Sequence, residues 1–237
     1  MRILAFIPAR GGSKGIPNKN LALLNKKPLI YYTIEAAKSS SHVTDIFLSS
    51  DDPEIIRYSA SLGIQTPYIR PSELAEDGTP TIDTVLHGLE WLRGNSPSLP
   101  ETILLLQPTS PFRTPDDIDS AVEAFLSSTA KSLVSVHTQR EHPYKCVESI
   151  GKNWSYLKKP AENNQKRQDY PDNFNIINGA VYIVSSDFIF SRKTFVVENE
   201  TMLYHMSPRN GLDIDEPIDL KWAEFYMKYV SSADRHK

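Results

Sequence analysis

Between residues 2 and 137 short apolar runs alternate with segments whose apolar residues recur at helical spacing, and that alternation restricts the possible folds more than any other feature. Residues 2–8 form an almost unbroken apolar run, as a parallel strand covered on both faces requires. Pro28 then opens PLIYYTIEAAKSS, where Leu29, Tyr32, Ile34, Ala36 and Ala37 keep a helical repeat behind a proline in the first turn. The unit recurs as DIFLSS (45–50) before DPEIIRYSASLG (52–63), IQTPYI (64–69) before TPTIDTVLHGLEWLR (79–93), and TILLLQ (102–107) before TPDDIDSAVEAFLSS (114–128), with SLVSVH (132–137) following. Asp51 or Asp52 ahead of Pro53, and Thr114 with Asp117, offer side-chain acceptors to free helix N–H groups, while Gly63 supplies a left-handed helix end. Together these signals predict an α/β protein, a three-layer sandwich around an open, mostly parallel sheet.

The rhythm changes after residue 137. Two short extended pieces, near 144–150 and 154–158, flank Gly151-Lys152-Asn153 and predict a hairpin that leaves the main sheet, within an extension spanning about 138–175. Its aromatic residues Trp154 and Tyr156 would seal either against the parent domain or against a second copy. Regular structure is expected again at NGAVYIV (178–184), in a short helix near 186–191, at TMLYHM (201–206) and in a final helix from about Glu216 to Tyr229, so residues 1–237 form one domain plus this extension.

Several function classes are disfavoured. A formal net charge of -3 gives no global attraction to nucleic acid, so any anion must be held locally. A lone cysteine, Cys146, rules out an intramolecular disulfide and a thiolate-rich zinc site. No run approaches the eighteen or so apolar residues of a membrane span, and the first residues lack an export-signal pattern, which makes the cytoplasm the expected location.

The loop after the first strand, in RILAFIPARGGSKGIPNKN, concentrates Gly11, Gly12 and Gly15 with Arg10, Lys14 and Lys19. Glycines let a backbone turn tightly and approach a ligand, and the cations pair with phosphate oxygens. The spacing matches neither GxGxxG nor GxxxxGK[ST], so the alternatives are a different phosphate cradle or a solvated turn; its place after the first strand of an open sheet favours the cradle. Late in the chain LDIDEP sets Asp213 and Asp215 two residues apart, facing the same way in an extended segment and suited to a hard divalent ion. Glu216 and Asp219 then cap or decorate the helix opening at Pro217; the plainer alternative makes Asp215 the N-cap and Asp213 a solvated loop residue.

IPARGGSKGIPNKN, with Arg70 in YIRPSELAEDGTP, LLLQPTSPFR (104–113), HPYK (142–145), NIINGAVYIV (175–184) and GLDIDEPIDL (211–220), closely resembles the acylneuraminate cytidylyltransferases, the CMP-sialic acid synthetase family, including its legionaminate and pseudaminate branches. The resemblance implies a Rossmann-like nucleotidyltransferase fold and transfer of CMP from CTP to a nine-carbon 2-keto sugar acid, with Mg2+ and release of pyrophosphate. It also implies a homodimer whose hairpin extension covers the partner's site, serving bacterial surface polysaccharide synthesis. By matching position, Arg10, Gly11, Gly12, Ser13, Lys14, Lys19, Asn20 and Arg70 would surround the nucleotide, with Lys14, Arg10 and Asp215 catalytic. Gln107, Lys145, Arg167 and Gln168 would meet the sugar acid, and Asp213 and Asp215 the metal. Tyr170 and Phe174 either stack on the sugar or pack locally. Whether Asp215 or a metal-bound hydroxide takes the proton stays open. The rival readings are an eight-carbon 3-deoxy-manno-octulosonate enzyme, whose first motif carries Arg and Leu where this chain has Lys14 and Ile16, and a non-catalytic nucleotide-binding protein of the same fold.

Overall fold

The computed structural model describes residues 1–139, 141–159, 170–171 and 174–230. In chain order its elements are β1 (Ile3–Pro8), β2 (Leu23–Leu24), β3 (Lys27–Pro28), α1 (Leu29–Ser39), β4 (Asp45–Ser49), α2 (Pro53–Ser61), α3 (Thr81–Asn95), β5 (Thr102–Leu105), α4 (Pro115–Leu126), β6 (Ser132–Thr138), β7 (Val147–Ile150), β8 (Asn153–Tyr156), β9 (Asn175–Ser185), α5 (Ser186–Arg192), β10 (Thr201–His205) and α6 (Pro217–Phe225). Six strands form the main sheet in the order β10-β6-β9-β5-β1-β4, parallel except for β9, which runs against both β5 and β6.

Because successive strand side chains point to opposite faces, β1 contributes to two cores. Ile3, Ala5 and Ile7 pack with apolar residues of α1, α2 and α4 on one face. Leu4 and Phe6 pack with those of α3 and α5 on the other. These are the three layers that the alternation predicts, and the helix starts use the expected chemistry. Asp52, rather than Asp51, accepts from the N–H groups of Glu54 and Ile55, and Thr114 and Asp117 close a capping box. Glu216 and Asp219 form a second box at the start of α6, so Asp215 is not that helix's N-cap.

One expected strand does not form. Residues 64–69 run irregularly, because Pro67 has no N–H for a ladder and Tyr68 turns inward to stack beside Phe47 and Trp91 in the second core. The final helix ends its regular turns at Phe225, with a π-turn over Tyr226–Val230. The β2–β3 pair was not anticipated; its turn uses left-handed Asn25 (φ 47) and Lys26 (φ 66). Such a turn suits the twist of a two-residue hairpin.

The β7–β8 hairpin forms its own two-stranded sheet, and every residue of both strands is exposed. In the main sheet β4 lies on one side of β1 and β5 on the other, so the loops leaving the carboxyl ends of β1 and β5 diverge and open a crevice there. A third, small core of Ile16, Leu24, Leu29, Ile214 and Ala223 ties the β1 loop to the chain around residue 214.

Candidate active site

Local contacts shape the β1 loop before any ligand is considered. Gly11 donates its N–H to Asp51 Oδ1 (3.0 Å), and the buried Asn20 side chain donates to the carbonyl of Arg10 (2.8 Å). The Gly11 N–H is therefore spent inside the protein, and a Cβ there would press on Asp52. At Gly15 a Cβ would collide with the Asp215 carbonyl oxygen, so the loop rests directly on the late acidic segment. Gly12 has open space around it.

Arg10, Ser13, Lys19, Asn20 and Arg70 line a cleft of about 280 Å³ at the end of β1. Lys14 stands outside its wall and reaches Asp77 Oδ2 at 3.0 Å, while Arg10 Nη2 meets Asp77 Oδ1 at 2.6 Å. Arg70 is 5% exposed and is fixed by bonds from Nε to Ser49 Oγ (3.0 Å) and from Nη2 to the Ser49 carbonyl (2.5 Å). Burial pulls its pKa down to about 10, so it stays cationic at neutral pH. Three cations thus line one polar cleft with Lys14 at its edge, an arrangement suited to a polyphosphate.

Gln107 lines this cleft and also a second cavity of about 570 Å³, walled by Ile176, Ile177, Asn178, Tyr182, Leu212 and Trp222 among others. Its backbone is anchored from below by Arg113, a residue the sequence reading did not single out. The Arg113 guanidinium is 3% exposed and donates to the carbonyls of Gln107 (3.3 Å) and Ala180 (2.6 Å) and to Thr33 Oγ1 (2.7 Å). Burial draws its pKa down to about 9, partly opposed by the charge of Asp117.

The acidic pair sits where the two cavities meet, Asp213 lining the larger and Asp215 the smaller. The Ile214 N–H donates to the Thr109 carbonyl at 2.9 Å, which seats the pair beside the turn after β5. Lys19 Nζ lies 2.9 Å from Asp215 Oδ1, joining the basic loop to the acidic segment across 196 residues. Asp213 opens onto the cavity yet is surrounded by protein. That enclosure, more than the neighbouring charge of Asp215, pushes its carboxyl up to about 6. Two carboxylates that resist sharing a site are what a hard divalent cation satisfies, so the pair suits such an ion. Among the described residues no group of three or more His, Cys, Asp or Glu side chains is arranged for a metal, so further ligands would come from water or phosphate oxygens.

The predicted sugar contacts divide. Gln107 is central, whereas Lys145 is exposed in the short turn Pro143–Lys145 and lines neither cavity. Arg167 and Gln168 lie outside the described residues. Tyr170 and Phe174 pack on His142, with ring centroids at 4.5 and 4.8 Å, which is the local-packing alternative. Asp77 is not legible in the sequence because its partners Arg10 and Lys14 are distant along the chain; the single cue is an acid in a loop preceding a helix.

The profile of the cytidylyltransferase family matches residues 4–218. The chain is 40% identical to the CMP-N,N'-diacetyllegionaminic acid synthase of Legionella pneumophila, across 98% of this chain and 99% of that one. It is 31% identical to the pseudaminic acid cytidylyltransferase of Campylobacter jejuni, across 96% and 97%. The solved structure of CMP:2-keto-3-deoxy-manno-octonic acid synthetase complexed with CTP superposes with a TM-score of 0.69 over 96% of this chain and 98% of that one, at 15% identity, a likeness of fold. With the β1 loop and the late acidic pair meeting at one crevice, and relatives matching it along nearly its whole length, this chain belongs to the cytidylyltransferase family.

Proposed function

We propose that the protein transfers CMP from CTP to the anomeric 2-hydroxyl of a nine-carbon 2-keto sugar acid of the neuraminate, legionaminate and pseudaminate group, releasing pyrophosphate. The observation that carries this reading is the contact between Lys19 and Asp215, which brings a cationic cleft and a carboxylate pair together at the boundary between two cavities. The smaller, basic cavity takes the nucleotide and the larger the acceptor. The relatives with 31–40% identity over nearly the whole chain are named for such acids, whereas the eight-carbon enzyme is a fold neighbour at 15%.

In the reaction the sugar hydroxyl oxygen bonds to the α-phosphorus as the bond to the β-phosphate oxygen breaks. Arg10 and Lys14 favour this step by holding the charge that collects on pyrophosphate. Gln107 reaches both cavities and orients the acceptor, using an amide that both donates and accepts. Asp215 takes the hydroxyl proton. Asp213 and Asp215 would hold magnesium, which when bound neutralises phosphate charge. CTP and magnesium are cytoplasmic pools, and the reaction belongs there. A non-catalytic binder would have no use for this carboxylate pair opposite a basic loop.

The dimer belongs to the same proposal. Val147, Ile150, Trp154 and Tyr156 on the hairpin are between 44% and 66% exposed, an apolar surface suited to a second copy of the chain. Lys145, at its base, would then act at the partner's cavity. Pyrophosphate release from CTP, magnesium and each acid tests the function. Folded Asp215→Ala or Lys14→Ala protein working at the parental rate refutes the assigned roles.

A further inference from the structure

The cleft at the end of β1 holds more positive charge than it displays, because carboxylates of the same chain already neutralise its cations. Lys19 is taken up by Asp215. Arg10 and Lys14 converge on one carboxylate, each on its own oxygen: Arg10 on Asp77 Oδ1 at 2.6 Å and Lys14 on Asp77 Oδ2 at 3.0 Å. Asp215 has an assigned task beyond this pairing, and Asp77 has none. Asp77 reaches the cleft from the loop ahead of α3, and its neighbour Glu76 lines the same wall without an ion pair among the described residues.

We infer that Asp77 is a displaceable counter-ion of the nucleotide site, its two carboxylate oxygens occupying the cations that two phosphate oxygens claim when a nucleoside triphosphate binds. The inference rests on the reading of this cleft as the CTP site. Three features support displacement rather than a permanent brace. The Asp77 and Lys14 side chains are 36% and 81% exposed, so the carboxylate can swing into solvent without crossing packed atoms. Exposed ion pairs are individually weak, so a multiply charged ligand displaces them readily. Arg10 also feels the charge of the buried cation Arg70, which Asp51 offsets only in part, so Arg10 favours an anion beside it, carboxylate or phosphate alike. Asp77 therefore holds the loop ready, and after the reaction it competes with pyrophosphate for the same two cations.

The test is equilibrium binding by calorimetry, at low ionic strength and without divalent metal, of CTP, inorganic pyrophosphate and cytidine to the parental protein, Asp77→Asn and Glu76→Gln. Asp77→Asn should lower the dissociation constants of CTP and pyrophosphate by about 3- to 10-fold, leaving cytidine and the melting temperature unchanged. Glu76→Gln removes the same charge from the same wall without freeing a cation, and should tighten CTP by less than about twofold. The proposal is overturned if Asp77→Asn binds CTP no more tightly than the parental protein, which would make Asp77 a brace, or if Glu76→Gln tightens it equally, which would make net charge the whole effect. A parental protein that neither binds CTP nor releases pyrophosphate from it would instead remove the functional reading, and this inference with it.

Discussion

Replacing Gly15 by alanine tests whether the basic loop and the acidic pair work as one unit. The backbone at Gly15 lies outside the left-handed region, so alanine meets no conformational penalty there, and its effect is purely steric. The added methyl would fall well inside 3.0 Å of the Asp215 carbonyl oxygen, a separation that Cβ atoms do not adopt. Backbone atoms cannot rotate aside, so the loop and the 213–215 segment must part by roughly 1 Å. Such a displacement between groups that must converge on one nucleotide costs about 100-fold in rate, while overpacking costs about 1–3 kcal/mol of stability. For a chain of this size the melting temperature falls by about 3–10 °C, leaving the protein folded at assay temperature. The measurement is kcat/KM for pyrophosphate release at saturating magnesium, with Gly78→Ala as control, since a Cβ at Gly78 meets nothing within 4 Å. If Gly15→Ala retains activity within threefold of that control, the two segments do not act together and the assignment of the site fails.

Asp213→Asn removes a carboxyl held at about 6 instead of 3.8. That difference amounts to about 3 kcal/mol of resistance to ionisation, reduced by solvent access through the cavity to about 1 kcal/mol. The substitution should raise the melting temperature of ligand-free protein at pH 7.5 by about 2–4 °C while lowering turnover at least 100-fold. Because the folded chain binds this proton more tightly than the unfolded one, the group's contribution to stability falls as pH rises from about 3.8 to about 6, and melting curves should show the asparagine variant's advantage growing over that interval. An advantage that is constant with pH would disprove the assigned shift. Arg113→Ala strands the Gln107 and Ala180 carbonyls in the core and should cost about 3–5 kcal/mol by denaturant unfolding. A loss under 1 kcal/mol would show that Arg113 does not anchor the turn.

What could be read in advance follows from local chemistry. Apolar periodicity at residues 2–8, 29–37 and 114–128 reports strand or helix directly, because each residue faces the core or the solvent according to its own place in the repeat. The caps at Asp52, Thr114 and Glu216 depend on residues two or three positions apart and are legible for the same reason. The segment 64–69 departs from its strand-like pattern because the burial of Tyr68 against Phe47 and Trp91 depends on a neighbouring strand and helix that no local pattern announces. Resemblance along the chain named Arg10, Lys14, Lys19, Asp213 and Asp215, but the residues themselves carry no record of who pairs with whom.

Pairing was decided by tertiary structure. The order β4-β1-β5 opens the crevice, the small core around Ile16 and Ile214 draws the first loop onto the late acidic segment, and Asp77 and Arg113 acquire roles from groups that folding brings to them. Sequence by itself determined which segments become strands and helices and where charge is concentrated, since these depend on interactions within a few residues. Only the folded chain decided which charges meet, because ionic and hydrogen-bonded contacts depend on distance in space, and Lys19 and Asp215 lie 2.9 Å apart across 196 residues of chain.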